Sequence, residues 1–282
     1  MAFLVTGGTS KVGTVVARLL KDDGKKVIIS SRSGRAPDGY EATKLDWADI
    51  STIDTPFISD EPIQGVYIMA PPGLSASETI VPFIDKAVAH GVKRFVLLSG
   101  SAVEKESDFG KVWKYLDDQK LDYFVLRPTA FTDNFHQFDG ASIRESSQFT
   151  TAMPNAKIPF ISAVDIGELA FRALTNEKNE RSDQCVIGPE LLTYDQAAEV
   201  LSNVLGRKIT HNIITGEQMS QLYTEVLGIP LQTATFLVKA QLDMDAGSAE
   251  RLWGNSEVFV GKETLKVWAE RNKSKLAPAL NV

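Results

Sequence analysis

The feature that most constrains this chain is a glycine-rich turn between a short apolar run and an amphipathic helix. The run is Phe3–Val5, and the turn reads Thr6-Gly7-Gly8-Thr9-Ser10-Lys11-Val12-Gly13. Valine and leucine then recur at helical spacing up to Gly24, which predicts a helix that ends there. In a strand–turn–helix unit, glycines let the backbone approach a pyrophosphate and the helix N-terminus offers N–H donors. The turn therefore predicts a dinucleotide site, with a tight structural turn as the alternative.

Five further apolar runs predict the other strands of a parallel sheet. They show no polar alternation, which is typical of strands covered on both faces. The runs are Val27–Ile29, Ala42–Leu45, Val66–Met69, Phe95–Leu98 and Tyr123–Leu126. Alternation of such runs with helical patterns predicts an α/β fold of the Rossmann type, a doubly wound parallel sheet, over residues 1–150.

The second half of the chain is richer in helix signals. A Thr or Asp followed three residues later by Gln or Glu predicts a capped helix start. Such starts occur at Asp165–Glu168, Thr193–Gln196 and Thr215–Gln218. We therefore expect residues 151–282 to form mainly a smaller, helix-rich lobe that covers the substrate, with some segments returning to the first domain.

The residues after the second apolar run indicate which dinucleotide would bind. This run ends in Ser30-Ser31-Arg32-Ser33, and Arg35 follows closely. Units that bind NAD usually carry Asp or Glu here to hold the ribose 2′-hydroxyl. A guanidinium suits a 2′-phosphate instead. The sequence predicts NADP(H), and the alternative is a solvated surface arginine.

Composition and charge exclude several classes of partner. Lys and Arg number 30 against 36 Asp and Glu, a formal charge of −6, and no basic stripe appears, so we expect no nucleic acid. No apolar stretch approaches the roughly 18 residues of a membrane span. The single cysteine, Cys185, is interpreted as a buried structural thiol in a cytoplasmic protein. We expect a small-molecule substrate and no metal; the sequence leaves the oligomeric state open.

Several motifs of this chain resemble the NmrA-like branch of the atypical short-chain dehydrogenases. They are Gly7–Gly13, Ser31-Arg32, Gly91–Ser99, Leu126–Thr129 with Asn134-Phe135, Lys157–Ser162 with Asp165-Ile166, Gly188–Tyr194, and Leu205–His211. Over residues 3–215 the chain is most similar to the fungal ergot-alkaloid reductases, the festuclavine synthase and agroclavine dehydrogenase group. The family implies an NADPH-binding Rossmann domain. The subgroup implies reduction of a cyclic iminium made from an indole-derived amine and an aldehyde.

The resemblance also implies the cofactor contacts. The pyrophosphate would lie against Gly7, Gly8, Ser10, Lys11, Val12 and Gly13. The 2′-phosphate would meet Ser31 and Arg32, and the adenine would lie by Asp46 and Trp47. The ribose would border Ala70, Pro71 and Pro72, the nicotinamide ribose Ser99, and the carboxamide Pro128 and Thr129.

The catalytic pair of ordinary short-chain dehydrogenases is missing. These enzymes use Tyr-x-x-x-Lys, in which the tyrosine protonates an alkoxide. Here Tyr115 is followed four residues later by Gln119. An iminium is already cationic, and hydride addition leaves no alkoxide to protonate, so positioning and electrostatics suffice. The missing lysine favours an iminium over a ketone. Tyr115 is the candidate catalytic donor or orienting group, with packing as the alternative, and the resembling reductases are expected to carry His here.

Four apolar residues are candidates for substrate binding: Trp113, Phe131, Phe135 and Met153. Aromatic faces suit a flat indole and a cationic iminium, although ordinary core packing explains such residues equally well. The sequence and its resemblance thus predict an NADPH-dependent iminium reductase of fungal indole-alkaloid biosynthesis. A close variant of this hypothesis adds a ring-forming step before the reduction. The alternatives are a non-catalytic NADP(H)-sensing regulator and a quinone or enone reductase.

Overall fold

The computed structural model describes residues 1–58, 61–70 and 73–278. Its strands are β1 (Ala2–Thr6), β2 (Lys26–Ser31), β3 (Glu41–Lys44), β4 (Ile63–Met69), β5 (Arg94–Leu98), β6 (Asp122–Pro128), β7 (Gln148–Thr151), β8 (Lys157–Ile158), β9 (Asp183–Ile187), β10 (Leu192–Thr193), β11 (Thr210–Ile213) and β12 (Phe259–Val260). Its helices are α1 (Lys11–Asp22), α2 (Ala76–Ala89), α3 (Asp108–Asp118), α4 (Asn134–Gln137), α5 (Gly140–Ser146), α6 (Ala163–Thr175), α7 (Tyr194–Leu205), α8 (Gly216–Gln221), α9 (Leu231–Asp245), α10 (Leu265–Arg271) and α11 (Lys273–Leu276). None of the helices among these residues is long and apolar enough to cross a bilayer.

The chain divides into two compact units. Unit 1 comprises Met1–Arg127 and Ala163–Gln184, and unit 2 comprises Pro128–Ser162 and Cys185–Val282. The segment that contains α6 thus belongs to the same unit as the first six strands. The functional division predicted at residue 150 stays a prediction.

A parallel sheet of the strands β1 to β6 forms the framework of unit 1. These strands lie in the order β6-β5-β4-β1-β2-β3, and all of their pairings are parallel. The strand order reverses between β1 and β4, which creates a crevice at their carboxyl ends. The predicted Rossmann-type α/β fold is confirmed.

Helices cover both faces of the central strands, which explains why their sequences are apolar. The edge strand β3 reads Glu41-Ala42-Thr43-Lys44 and is largely exposed, so the cover predicted for its run was wrong. Leu4 and Ile68 point to one face, where they join a core with residues of α2 and α3 such as Phe83 and Leu116. Alternation sends Phe3 to the other face. There Gly65 leaves room for Phe3 and for Leu174 of α6.

Unit 2 has its own core, which is built around aromatic side chains. Phe149 of β7 and Trp268 of α10 are completely buried in it. β7 pairs with β11 in parallel, and β8 pairs with β10 in antiparallel. Thr193 and Thr215 each form a complete capping box at the start of α7 and α8, as predicted.

Two further local predictions were wrong. The expected capping box at Asp165 does not start a helix, because α6 begins at Ala163 and Asp165 lies buried within the first turn. The helix dipole favours a carboxylate in the first turn, so Asp165 correctly indicated a helix start. The predicted start was two residues too late. Cys185 lies in β9 and is partly exposed, not buried.

Candidate functional site

The turn from β1 into α1 has almost no free space. Gly7 has a left-handed φ of +62°. A Cβ on Gly13 would overlap the Gly7 carbonyl oxygen, and a Cβ on Gly8 would lie 2.6 Å from the Ile29 side chain. Ser10 is the N-cap of α1, and its Oγ accepts the Gly13 N–H at 3.1 Å. Serine therefore replaces the usual middle glycine without opening the turn.

A cavity of about 770 Å³ lies beside this turn in unit 1. It is lined by residues at or just after the ends of β1 to β4 and by the loop after β2. These are Gly7, Thr9, Ser30–Ser33, Arg35–Pro37, Leu45–Ala48, Met69, Ala70 and Leu74. Because parallel strands bring their carboxyl ends to one edge, four segments that are distant in sequence meet at the place where open α/β sheets bind ligands.

Two arginines stand on one side of this cavity. Ser31 Oγ donates to the Arg35 carbonyl at 2.7 Å and accepts the Arg35 N–H at 3.0 Å, which folds the loop after β2. Arg32 and Arg35 are both exposed, and neither forms an ion pair with any residue in 1–58, 61–70 or 73–278. Two guanidiniums without an acidic partner fit a doubly charged phosphate.

The end of β3 supplies a flat wall to the same cavity. Trp47 packs edge-on against Phe83, with ring centroids 5.2 Å apart. Asp46 Oδ1 accepts the Ala48 N–H at 3.1 Å, and the Asp46 N–H donates to Thr52 Oγ1 at 2.9 Å. These bonds fix the loop that carries the indole ring.

The remaining predicted cofactor residues occupy several places. Lys11 and the buried Val12 begin α1, Ala70 follows β4 at the cavity, and Pro71 and Pro72 lie outside the described residues. Ser99 follows β5, and its buried Oγ has no hydrogen-bond partner within the described part of the chain. Pro128 and Thr129 are buried in unit 2, where Thr129 Oγ1 donates to the Pro159 carbonyl at 2.7 Å.

A second, smaller cavity of about 110 Å³ lies within unit 2. Phe131, Phe135 and Met153, three of the four predicted substrate residues, line it. The other apolar or aromatic lining residues include Phe138, Phe160, Tyr194, Met219, Leu222, Tyr223 and Met244. For comparison, a cavity of about 150 Å³ holds benzene, so this space takes at most about one ring and no fused ring system.

Trp113, the fourth predicted substrate residue, lies in unit 1. Its side chain is buried in the core formed by α2 and α3. The Lys105 ammonium lies 4.6 Å and the Arg127 guanidinium 5.1 Å from the centroid of its ring. Two cations of the protein itself thus already contact this indole.

Asp139 is a cavity residue that the sequence did not reveal. It lines the unit 2 cavity, and its Oδ1 accepts the Thr150 N–H at 3.3 Å. Burial raises the pKa of Asp139 to about 7, although the Thr150 bond acts in the opposite direction. Its side chain is partly exposed. A single acid after the aromatic-rich segment Phe131–Phe138 was the available signal, but nothing local showed that it would line a cavity.

A chain of hydrogen bonds supports one wall of the same cavity. Thr151 Oγ1 lies 2.8 Å from His211 Nε2, and His211 Nδ1 lies 3.0 Å from Asp195 Oδ1. The His211 side chain is 2% exposed and the Asp195 side chain 79%. Both ring nitrogens have a partner, so the chain holds Thr151 in place between a buried wall and a solvent-exposed carboxylate.

Tyr115 has an acidic partner where the usual catalytic tyrosine has a lysine. Its hydroxyl, on α3, donates to the Asp85 carboxylate on α2. This hydrogen bond, together with burial and the Asp85 charge, raises the pKa of Tyr115 to about 12. The hydroxyl therefore keeps its proton at neutral pH. The catalytic role predicted for Tyr115 stays a prediction.

The NmrA-like family model matches residues 2–270 of the chain. The chain belongs to the NmrA-like family. One relative is agroclavine dehydrogenase of Claviceps fusiformis. It is 38% identical over 266 residues, which cover 92% of this chain and 91% of that protein. Festuclavine synthase II of Penicillium roqueforti is 35% identical over 268 residues, covering 92% and 93%. The resemblance inferred from the motifs is confirmed.

Solved structures support the fold assignment independently of the family match. The NADPH complex of an Escherichia coli quinone oxidoreductase aligns with a TM-score of 0.75 at 18% identity. The alignment covers 95% of this chain and 99% of that one. At this identity the likeness concerns the fold alone.

Replacing Gly13 with Ala tests the tight turn. The new methyl group would meet the Gly7 carbonyl, so we expect a loss of about 1–3 kcal/mol in the free energy of unfolding. Urea unfolding measures it. Gly24→Ala is the control, because a Cβ at Gly24 meets no atom within 4 Å and is strained only through its φ of +71°. Equal losses in the two variants would contradict the close approach.

Replacing Tyr115 with Phe tests the role of its hydroxyl. Because the hydroxyl already donates to Asp85, we expect the variant to lose up to about 1 kcal/mol of stability and to keep its kcat. Thermal unfolding and steady-state kinetics measure the two effects. A tenfold or larger fall in kcat with unchanged stability would instead establish the catalytic role predicted from the sequence.

Proposed function

We propose that this chain is an NADPH-dependent oxidoreductase that reduces the C=N bond of a cyclic iminium or imine in indole-alkaloid biosynthesis. The observation that carries the proposal is the pair of arginines, Arg32 and Arg35, on the cavity that follows the glycine-rich turn. The names of the relatives add support, since a festuclavine synthase and an agroclavine dehydrogenase align over about nine-tenths of the chain.

The residues of unit 1 fit the proposed cofactor. The glycines of the turn let α1 begin directly behind the strands. The free N–H groups at the start of α1 are the proposed donors to the pyrophosphate. Arg32 and Arg35 are the proposed partners of the 2′-phosphate, and Trp47 is the proposed wall for the adenine. The proposed contacts further along the cofactor are Ala70, Pro71, Pro72, Ser99, Pro128 and Thr129. When bound, NADPH supplies the hydride.

The missing Tyr-x-x-x-Lys pair supports a cationic acceptor. Reduction of an iminium gives a neutral amine, so the protein has no alkoxide to protonate. Its residues have to exclude water and hold the acceptor still. The proposed holding surface is the unit 2 cavity, with Phe131, Phe135 and Met153 in its wall. The open-chain precursor is an amino-aldehyde, whose amine condenses with the aldehyde, takes up one proton and releases water to give the cyclic iminium before reduction.

NADPH consumption with a panel of substrates tests the proposal. The panel contains indole-derived amino-aldehydes, preformed cyclic iminium ions and simple quinones, and product chirality is recorded. We expect turnover of the iminium ions with one product enantiomer in excess, because a fixed pocket exposes one face of the acceptor. Turnover of quinones alone would make the chain a quinone reductase. Tight NADPH binding without any turnover would make it a dinucleotide sensor.

Replacing Arg32 with Ala tests the cofactor preference. We expect NADPH binding to weaken by about 1.5–3 kcal/mol, the usual value of a charged hydrogen bond, and NADH binding to change little. This corresponds to roughly tenfold or more in Kd, measured by calorimetry. The control is Arg18→Ala, which removes an exposed arginine that pairs with Asp22 on α1. Equal weakening of both cofactors would refute the 2′-phosphate role.

A further inference from the structure

The unit 2 cavity combines aromatic walls with a single acidic group. Among its described lining residues, Asp139 is the one carboxylic acid, and none is Lys, Arg or His. No basic side chain of the described chain pairs with Asp139, whose one hydrogen-bond donor is the Thr150 N–H. The walls beside it come from α7 through Tyr194 and from the helical turn at residues 222–226 through Tyr223.

A carboxylate in such a place is incompletely satisfied. A buried charge is stable only when it is paired or well hydrogen-bonded, and a single N–H bond leaves three of its four acceptor positions unused. Aromatic faces carry partial negative charge and attract cations. The cavity therefore has two features that favour a positive ligand, and its described lining has no cationic side chain that would favour an anion.

We propose that Asp139 anchors a cationic nitrogen in this cavity, either an ammonium or an iminium attached to or part of a ring. The ring lies against Phe131 and Phe135, and the nitrogen faces the carboxylate. The inference rests on the proposed function in so far as this cation is the iminium that is reduced. It adds a specificity residue, because a neutral ketone or quinone of the same shape cannot form the ion pair.

Binding of the cation is coupled to a proton. Near neutrality part of Asp139 is protonated, since burial raises its pKa to about 7. A cation binds the ionised form, so binding at pH 6 releases the proton to solvent and affinity rises with pH. A cation beside the carboxylate also lowers its pKa, which extends the range over which the bound form stays ionised.

The titratable and charged groups around Asp139 are two tyrosines, one arginine and two histidines. Tyr194 and Tyr223 face it, and burial together with the Asp139 charge raises the pKa of both phenols, that of Tyr223 to about 12. Arg144, on the following helix α5, donates to the Lys275 carbonyl at 3.0 Å. His136 on the preceding helix α4 and His211 behind Thr151 are the nearby imidazoles, and Asp195 bonds to the latter.

Binding of trimethylanilinium, compared with its neutral isostere tert-butylbenzene, tests the proposal. The full chain is titrated at pH 5 and pH 8, as wild type, as Asp139→Asn and as Glu145→Gln. The last variant removes an exposed carboxylate from α5 that does not line the cavity. In Asp139→Asn the amide oxygen can still accept the Thr150 N–H, so only the charge is lost.

We expect wild type and Glu145→Gln to bind the cation roughly tenfold to a hundredfold more tightly at pH 8 than at pH 5. Asp139→Asn should bind it weakly and equally at both pH values, with an affinity close to that of wild type at pH 5. The neutral isostere should not distinguish the variants at pH 5. Equal cation affinity of wild type and Asp139→Asn at pH 8 would overturn the proposal.

Two further readouts separate this inference from the proposed function and from misfolding. Asp139→Asn should unfold at a higher temperature than wild type at pH 8 and at the same temperature at pH 4, which shows that it is folded. Cation binding without NADPH-dependent turnover would refute the reductase and keep the cation site. Iminium turnover whose kcat/KM is the same in wild type and Asp139→Asn at every pH would keep the reductase and refute the anchor.

Discussion

The close approach of α1 to the end of β1 determines how unit 1 can be used. Gly13 lies against the Gly7 carbonyl, and Gly8 lies against Ile29 of β2, so the helix begins directly behind the strands. The Thr6 hydroxyl accepts the Met69 N–H at 2.9 Å, which ties the end of β4 to the same point. A crevice at the strand ends and a helix N-terminus beside it follow from these contacts. The loop after β2 places Arg32 and Arg35 at the same crevice.

Sequence patterns predicted the framework well because the relevant forces are local or periodic. An apolar run without alternation requires cover on both faces, and the central runs became buried strands of the parallel sheet. The run Ala42–Leu45 gave a mostly exposed edge strand instead, because it contains Thr43 and Lys44. Thr193 and Thr215 cap helices together with residues three positions away, so a segment of four residues was enough to predict their roles. Asp165 misled because a carboxylate is favoured throughout the first helical turn and not only at the cap.

The features that matter for chemistry depend on contacts between residues that are distant in the chain, and local sequence patterns did not predict these contacts. The partner of Tyr115 is Asp85, thirty positions earlier on another helix. Thr151 and His211 are sixty positions apart and meet only because β7 and β11 pair. Asp139 follows an aromatic segment, yet its position in the cavity depends on α7, α9 and the turn at residues 222–226, which line the cavity beside it. A motif search finds none of these.

The two unusual carboxylates favour the same chemistry for different reasons. Asp85 accepts the hydrogen bond of the Tyr115 hydroxyl and raises the pKa of this phenol, the opposite of what a lysine does in a short-chain dehydrogenase, and so it disfavours protonation of an alkoxide by Tyr115. The ionised Asp139 side chain lowers the stability of the ligand-free protein. Its pKa rises from 3.8 to about 7, so the unfolded chain ionises first and the free energy of unfolding falls as pH increases between these values. At about 1.36 kcal/mol per pH unit the loss is at most about 4 kcal/mol, and the partial exposure of the side chain reduces it. An asparagine would keep the Thr150 bond without this loss. A ligand that brings its own positive charge offsets it on binding, which makes an energetically unfavourable carboxylate a means of selecting cations.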